Sequence, residues 1–375
     1  MISLKPGIAK FLAVLAGLIA SHSTVYSQSI FSGKEALFTT PRQYIATFSH
    51  TAPVVDGKID DAVWQSAAWT DKFIDIEGES KSLPAWDTRA KMLWTAEGLY
   101  IAAELLEPHV WGYLKNHDDI VFYDNDFEVF IDPDNDTHRY YELEINAVNT
   151  IFDLFMPKPY RNSGGAMFTY NTPGMKTAVS VQGTVNNPSD TDKGWTVEMF
   201  IPFLAVTMGN VAKVPADGEF WRINFSRVEW DVEVKGGKYV KLKDANGRNL
   251  PEHNWVWSPQ GVINMHYPER WGYLFFSKPD AGKPLAEYKI PYSEEQKKHL
   301  WLVYYRQKEH FQKNRTYARD LKELGITATD IKIDGKDNKL SMEATSRQFM
   351  VYITGEQVTY TVNDEGLVQA IRLPR

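Results

Sequence analysis

The 375-residue chain is long enough for one large or two ordinary domains, and its 43% hydrophobic and 24% charged residues exclude wholesale disorder. A formal net charge of −7 lacks the basic excess of a nucleic-acid binder. The absence of cysteine excludes disulfides, cysteine-ligated zinc, iron–sulfur clusters, a cysteine nucleophile and a lipid-modified N-terminal cysteine. With 12 Trp, 19 Tyr and 19 Phe, the composition suits strands and flat binding surfaces better than a helical bundle.

Residues 1–27 read as a signal peptide. Lys5 and Lys10 precede ten apolar or small residues at 11–20, too few to span a bilayer, and Val25-Tyr26-Ser27 offers a cleavage point after Ser27. The alternative is an uncleaved anchor. No later stretch is apolar enough to cross a membrane, so the mature chain is expected to be exported, periplasmic or secreted. Its lack of cysteine suits a bacterial exterior.

From about residue 47 to 277, short alternating runs separated by turn residues predict an antiparallel two-sheet β-sandwich, immunoglobulin-like or DOMON-like jelly roll in style. Strands are expected over 89–94, 98–104, 127–132, 140–146, 176–183, 194–201, 220–229 and 271–276. Three prolines between 278 and 291 read as a linker. Beyond it Ser293 is the expected helix cap, with Glu294 and Glu295 in the first turn. Leu300, Tyr304, Phe311 and Leu321 carry the helical period to a stop at Gly325. Short strands follow at 330–333, 340–343, 349–353, 357–362 and 367–373. The expected domains are a sandwich over 45–278, a linker over 279–291 and a small helix-plus-strands unit over 292–375.

Alternation assigns faces. On the strand at 127–132, Phe127, Val129 and Ile131 point one way and Asp126 and Glu128 the other. On 140–146, Leu143 and Ile145 oppose Glu142, Glu144 and Asn146, and on 220–229 Ile223 and Phe225 oppose Arg222, Asn224 and Ser226. One reading is a solvated sheet face, as antiparallel sheets usually have. The other takes account of the planar residues Trp111, Phe122, Tyr123, Trp257, Tyr267 and Trp271 at strand ends and in loops. A sugar ring offers an apolar face to aromatics and a hydroxyl rim to carboxylates and amides.

Several segments, in order, resemble family 9 carbohydrate-binding modules, within the wider DOMON-like sandwiches. They are Pro53-Val54-Val55-Asp56-Gly57-Lys58-Ile59-Asp60-Asp61-Ala62-Val63-Trp64, Met92-Leu93-Trp94 through Gly98-Leu99-Tyr100-Ile101, and Asn125-Asp126-Phe127-Glu128-Val129-Phe130-Ile131-Asp132-Pro133. The strand at 140–146, Gly194-Trp195-Thr196-Val197-Glu198-Met199-Phe200-Ile201-Pro202 and Trp271-Gly272-Tyr273-Leu274 complete the series. The resemblance covers about 230 residues and leaves out everything after Lys278. It implies a two-sheet sandwich, structural calcium, frequent attachment to xylanases, and a sugar gripped between two tryptophans. Carried over, Glu128 falls on a sugar-contacting glutamate and Asn224 on an amide-bearing position. The first clamp residue falls near Phe122 or Tyr123 and the second near Met265 or His266. Glu144 stands where the family has an arginine. The altered clamp implies a ligand shape of its own.

The expected function is therefore recognition of a polysaccharide or oligosaccharide, xylan-type among the options, in support of carbohydrate catabolism, with a polysaccharide-degrading enzyme as partner. Phe122, Tyr123 and Trp257 are expected to stack, Glu128, Asn146 and Asn224 to hydrogen-bond, and His266 to stand at the second clamp position. Asp132, Asp134 and Asp136 place hard oxygen donors in a loop and form the expected calcium site; Asp56, Asp60 and Asp61 form a second candidate. Two alternatives stay open: a glycosidase using Glu128 with Glu144, and a haem module drawing axial ligands from Met92, Met156, His138 and His266.

Overall fold

The computed structural model describes residues 30–278 and 287–372. The expected signal peptide and most of the expected linker lie outside the described residues. Among those described, no helix is long and apolar enough to cross a membrane.

The first region contains fourteen strands: β1 (Gln43–Phe48), β2 (Ile74–Asp75), β3 (Thr88–Trp94), β4 (Gly98–Leu106), β5 (Asp126–Asp132), β6 (Tyr140–Asn146), β7 (Ile151–Met156), β8 (Lys176–Gln182), β9 (Gly194–Pro202), β10 (Phe220–Glu229), β11 (Val232–Lys235), β12 (Lys238–Lys241), β13 (His253–Val256) and β14 (Gly272–Ser277). Twelve of them form one sheet in the order β7-β6-β5-β10-β14-β1-β3-β4-β9-β8, with β13 beside β10 and β2 beside β13; β11 and β12 make a separate hairpin. The sheet curls so that its two halves share one core. Phe127, Val129, Ile131, Leu143, Ile145, Ile223 and Phe225 from one half meet Met92, Leu99, Ile101, Val197 and Ile201 from the other. Alternation gives the correct inner face on β5, β6 and β10, the strands whose faces it was used to assign. The sheet is antiparallel except at β1, which runs parallel to both β14 and β3. That strand and β7, β2, β13 and the β11–β12 hairpin escape the sequence reading, being short or lacking clean alternation.

The expected solvated face is not solvated. Every residue of β5 and β6 is buried, on both faces. Alternation still sends Glu128 and Glu144 away from the core, but a second apolar layer covers that side. Phe130, Tyr140, Phe152, Leu154, Met156 and Trp271 form it, together with Val121 and Met265 from loops.

The C-terminal unit consists of α1 (Tyr292–Asn314) and an antiparallel meander, β15 (Asp330–Ile333), β16 (Lys336–Ala344), β17 (Phe349–Thr354), β18 (Val358–Asn363) and β19 (Val368–Arg372). Leu300, Val303 and Tyr304 of α1 pack on Leu340, Val351, Ile353 and Val362. The helix ends eleven residues before Gly325, at Asn314. Arg315 takes a left-handed φ of 61° and its N–H closes on the Phe311 carbonyl at 2.8 Å. The chain then turns back, and the buried Gln307 amide holds it by donating to the Ala318 carbonyl (2.9 Å) and accepting from the Ala318 N–H (2.8 Å). Leu321 thus reaches the core from the returning loop.

This unit docks on the sandwich through buried polar groups. Arg222 of β10 donates to Glu294 of α1 at 2.6 Å, and the Tyr273 hydroxyl donates to the same carboxylate at 3.2 Å. Arg161 forks onto Glu269 at 2.9 and 2.8 Å, and the Tyr305 hydroxyl of α1 donates to Glu269 at 2.5 Å. Thr137 Oγ1 donates to the Gly366 carbonyl at 2.6 Å. Glu294 is therefore an anchor and not merely a first-turn acid. Burial pushes its carboxyl up, but Lys297 and Arg222 outweigh burial and bring it down to about 2.

Glu294→Gln should cost about 3–5 kcal/mol, because it leaves the Arg222 guanidinium buried without its anion. With a folded value near 2 against an unfolded value near 4.5, the stabilisation is complete above pH 4.5 and fades as pH falls toward 2. Urea unfolding of both proteins between pH 7 and pH 2.5 checks this: the gap between them should narrow on acidification.

Candidate functional site

The outward side chains of β5, β6 and β10 meet through their strand register. Glu128 lies opposite Glu144 on one side and Ser226 on the other, and Asp126 lies opposite Asn146 and Val228. On β7, Phe152 faces Glu144 and Leu154 faces Glu142. The result is a carboxylate floor of Asp126, Glu128, Glu142 and Glu144, none more than 6% exposed. One oxygen each from Asp126, Glu128 and Glu144 can be chosen so that all three lie within 4.8 Å of one another.

Three loops build the rim. In the turn Val121–Tyr123, the Phe122 N–H donates to Glu144 Oε2 at 3.1 Å, and the Trp230 indole holds the turn through the Phe122 carbonyl at 2.8 Å. The Asp124 carboxylate is held by the Tyr113 and Leu114 N–H groups. From a second loop, Tyr160 sets its ring edge-on to His266, with centroids 4.5 Å apart, and Phe168 stacks on Phe152 at 5.9 Å. From the third, His266 Nδ1 pairs with the Tyr140 hydroxyl at 2.7 Å. Tyr123 (52%), Tyr160 (42%) and Phe168 (52%) remain exposed and ring the floor. Lys241 lies over the Trp230 ring at 3.3 Å.

The floor is electrostatically crowded. Burial, then neighbouring carboxylates, push Asp126, Glu142 and Glu144 well above the usual carboxylate range. Glu128 rises to about 7, through burial first, with the Ser226 hydroxyl opposing and Glu252 adding to the shift. Burial pulls Lys241 down to about 8 against the pull of Asp124, Glu252 and Asp126. Burial and Arg161 lower His266 to about 4, so its imidazole is neutral at physiological pH.

Phe122 and Tyr123 pack on each other beside Glu144, which lies opposite Glu128, while His266 sits at the Tyr140 end of the same face against Phe130 and Tyr160. Asn146 borders them, but all four of its hydrogen-bonding positions are used: Nδ2 donates to the Leu114 carbonyl and Asp124 at 3.0 Å each, and Oδ1 accepts from Val148 (3.2 Å) and Thr150 (2.9 Å). It positions the rim loops and has nothing left for a ligand. Asn224, 0% exposed, is similarly engaged with the backbone of Ser258 and Phe225. Trp257 is corrected outright. It points into the inner core against Phe225, with centroids 5.9 Å apart, in space left by Gly272, whose missing Cβ would lie 2.4 Å from the indole. Trp111 and Trp271 are buried too. Tyr160, Phe168 and Lys241 were missed. Tyr160 sits within the segment Pro157-Lys158-Pro159-Tyr160-Arg161, but only the fold shows that this loop returns over β6.

Asp132, Asp134 and Asp136 do converge, with one oxygen from each within 4.8 Å of the others. Their oxygens are largely committed, however. Asp132 accepts the Asn135 and Thr137 N–H groups at 3.0 and 2.8 Å, and the Arg139 guanidinium pairs with both Asp134 and Asp136. Asn135 Oδ1 alone is buried without a partner. An ion in this loop has to displace Arg139, so the donor set fits calcium poorly. Of the haem candidates, Met92 and Met156 are fully buried in apolar clusters. His138 Nε2 pairs with the Glu365 carbonyl at 3.0 Å.

Residues 55–259 match the family model described as carbohydrate family 9 binding domain-like. The exoglucanase XynX of Acetivibrio thermocellus is 28% identical over 177 residues, which are 47% of this chain and 14% of that protein. Endo-1,4-beta-xylanase A of Thermoanaerobacterium saccharolyticum is 29% identical over 167 residues, 44% of this chain and 12% of that protein. The chain thus spans a small fraction of the length of these curated relatives. A solved structure of a putative carbohydrate-binding protein from Bacteroides uniformis aligns with a TM-score of 0.44 at 17% identity, covering 64% of this chain and all of that one.

Trp257→Ala should lower stability by about 3–5 kcal/mol, the cost of emptying a large aromatic site in a packed core. A shift in the urea midpoint checks it. A surface stacking residue would leave the midpoint unchanged.

Proposed function

The chain belongs to the carbohydrate family 9 binding domain-like family, which gives it a carbohydrate-binding role, and we propose that it binds through the outer face of β5, β6 and β10. The observation that carries this reading is the pairing of exposed flat rings with polar groups beneath them. Tyr123, Tyr160 and Phe168 stand around a floor of four carboxylates. A pyranose can lay its C–H face on such rings while its hydroxyls reach toward Glu128 and the cationic head of Lys241. Two relatives are named as an exoglucanase and a xylanase, which favours β-1,4-linked plant-wall chains as ligand and a polysaccharide-degrading enzyme as working partner. The leader expected at 1–27 from the sequence accords with action outside the cytoplasm.

The glycosidase reading is disfavoured by geometry. Glu128 and Glu144 project side by side from adjacent strands and are both buried. Catalytic carboxyls flank a scissile bond from two sides of an open cleft. The haem reading is disfavoured by the engagement of Met92, Met156, His138 and His266 in packing and hydrogen bonds.

Titration calorimetry against xylo- and cello-oligosaccharides, guided by a glycan array, tests the proposal. Tyr160→Ala and Tyr123→Ala should each weaken binding by about tenfold, roughly 1.4 kcal/mol, with little change in melting temperature because both rings are exposed. Absence of binding to every plant-wall and host glycan would sink the reading; full affinity in both variants would put the ligand elsewhere on the sandwich.

A further inference from the structure

The strands that floor the groove have an inner side as well, and one end of it is polar. Arg227 and Glu229 of β10 continue the inward parity of Ile223 and Phe225. Glu107 continues that of Ile101 and Leu105 just beyond β4, and Asn125, ahead of β5, shares the parity of Phe127. Apolar side chains would seal the core at this end. Instead the Arg227 guanidinium donates to Glu107 at 2.7 Å and to Glu229 at 3.0 Å, and the Asn125 amide donates to Glu229 at 2.9 Å. All four residues are 1% to 6% exposed. Two carboxylates thus share one cation.

A cavity of about 400 Å³ borders Glu107, Asn125 and Glu229, a volume in the range of small-molecule sites. The chain from Ile76 to Asp87 passes along it. The Ile76 N–H holds one end on the Asn254 carbonyl at 3.0 Å, and the Leu106 N–H holds the other on the Asp87 carbonyl at 2.9 Å. This segment brings Trp86 to the cavity, 38% exposed and with no ring or cation against its indole among the described residues. Trp255 and His253, stacked with centroids 5.5 Å apart, line it too. Asp75 and Asp231 add further acceptors, while no lysine or arginine among the described residues lines it. A flat free ring beside an acceptor-rich wall suits a ligand with an apolar face and donating hydroxyls. None of Tyr123, Tyr160 and Phe168 reaches this cavity.

We propose that this cavity is a second binding site, at the end of the sandwich core, for a pyranose ring without an acidic group. The Trp86 indole takes the C–H face of the ring, and Glu107, Glu229 and Asp75 accept from its hydroxyls. Four carboxylates against the single Arg227 guanidinium select against uronates and phosphorylated sugars through like-charge repulsion, and favour an amine-bearing sugar over its neutral counterpart. Trp230 stands between the two places. It lines the cavity, while Lys241 lies on its ring and its indole N–H holds the Phe122 carbonyl of the groove rim. The choice of a sugar rests on the carbohydrate reading of the chain; the location of the site does not.

The test is calorimetric titration of the full chain with glucose, xylose, galactose, glucosamine and glucuronic acid. Saturable binding of at least one neutral sugar is expected, with glucosamine tighter than glucose and glucuronic acid weakest. Trp86→Ala should weaken it by roughly tenfold, Trp86→Phe should recover most of the loss, and Tyr123→Ala and Tyr160→Ala should leave it unchanged. Melting temperatures establish that each variant is folded, and the sugar series on the wild type stands without them. Binding that Trp86→Ala leaves intact, or glucuronic acid bound as tightly as glucose, overturns the proposal. Xylo- and cello-oligosaccharides titrated into the same variants separate the two places. Binding that depends on Tyr123 and Tyr160, with no site that depends on Trp86, refutes the cavity alone. Binding that depends on Trp86, with none that depends on the two tyrosines, refutes only the groove on the outer face.

Discussion

Placing charge on a sheet face that is then covered is the constraint around which this structure is arranged. The two-residue period of β5 and β6 commits Phe127, Val129, Leu143 and Ile145 to the inner core, so Asp126, Glu128, Glu142 and Glu144 must leave on the other side. In an ordinary sandwich water would meet them there. Here the loop turns over 121–123, 157–168 and 264–271 fold across that side, and a second apolar cluster with Phe130, Tyr140 and Trp271 grows around the acids. A slip of one residue in either strand would exchange its two floor carboxylates with core side chains, so register is strongly specified.

The C-terminal unit belongs to the same arrangement. Arg222 leaves β10 on the outer face, two residues from Asn224 and four from Ser226, and ends on Glu294 of α1. Arg161 follows Tyr160 in the same loop, and the Glu269 carboxylate it pairs with is shared with Tyr305 of α1. It also sits 3.9 Å over the Tyr267 ring. Two arginines thus couple the helix to the strand that floors the groove and to the loops that wall it. The tail helps set the position of Tyr160 and His266 through these contacts.

What the sequence reveals follows from which interactions are local. Alternation is local, so the faces of β5, β6 and β10 and the meander from β15 to β19 are legible in it. Glu128 and the aromatic pair Phe122-Tyr123 are legible because they sit next to a recognisable strand. Trp257 misleads because a tryptophan just past a strand end can turn either way, and the choice is made by Gly272, fifteen residues on, which leaves the space its indole fills. Asn146 and Asn224 look like ligand contacts because an amide is equally suited to tying down a loop, and only their partners reveal which task they perform. Tyr160 and Phe168 were out of reach, since no sequence period says which sheet face a loop will cross. The early end of α1 depends on Gln307 meeting Ala318, a contact that exists only after the chain has turned back.

The rim and the floor divide the work by where they sit in the fold. The rings of Tyr123, Tyr160 and Phe168 come from loops, which can change length and sequence without disturbing the sheet. The carboxylates come from adjacent strands whose spacing is set by backbone hydrogen bonds. Ligand shape is therefore adjustable at the rim, while charge at the floor is fixed. The floor is also nearly closed: at 0% to 6% exposure its acids can be reached by an ion or a water, but not enclosed by a sugar ring.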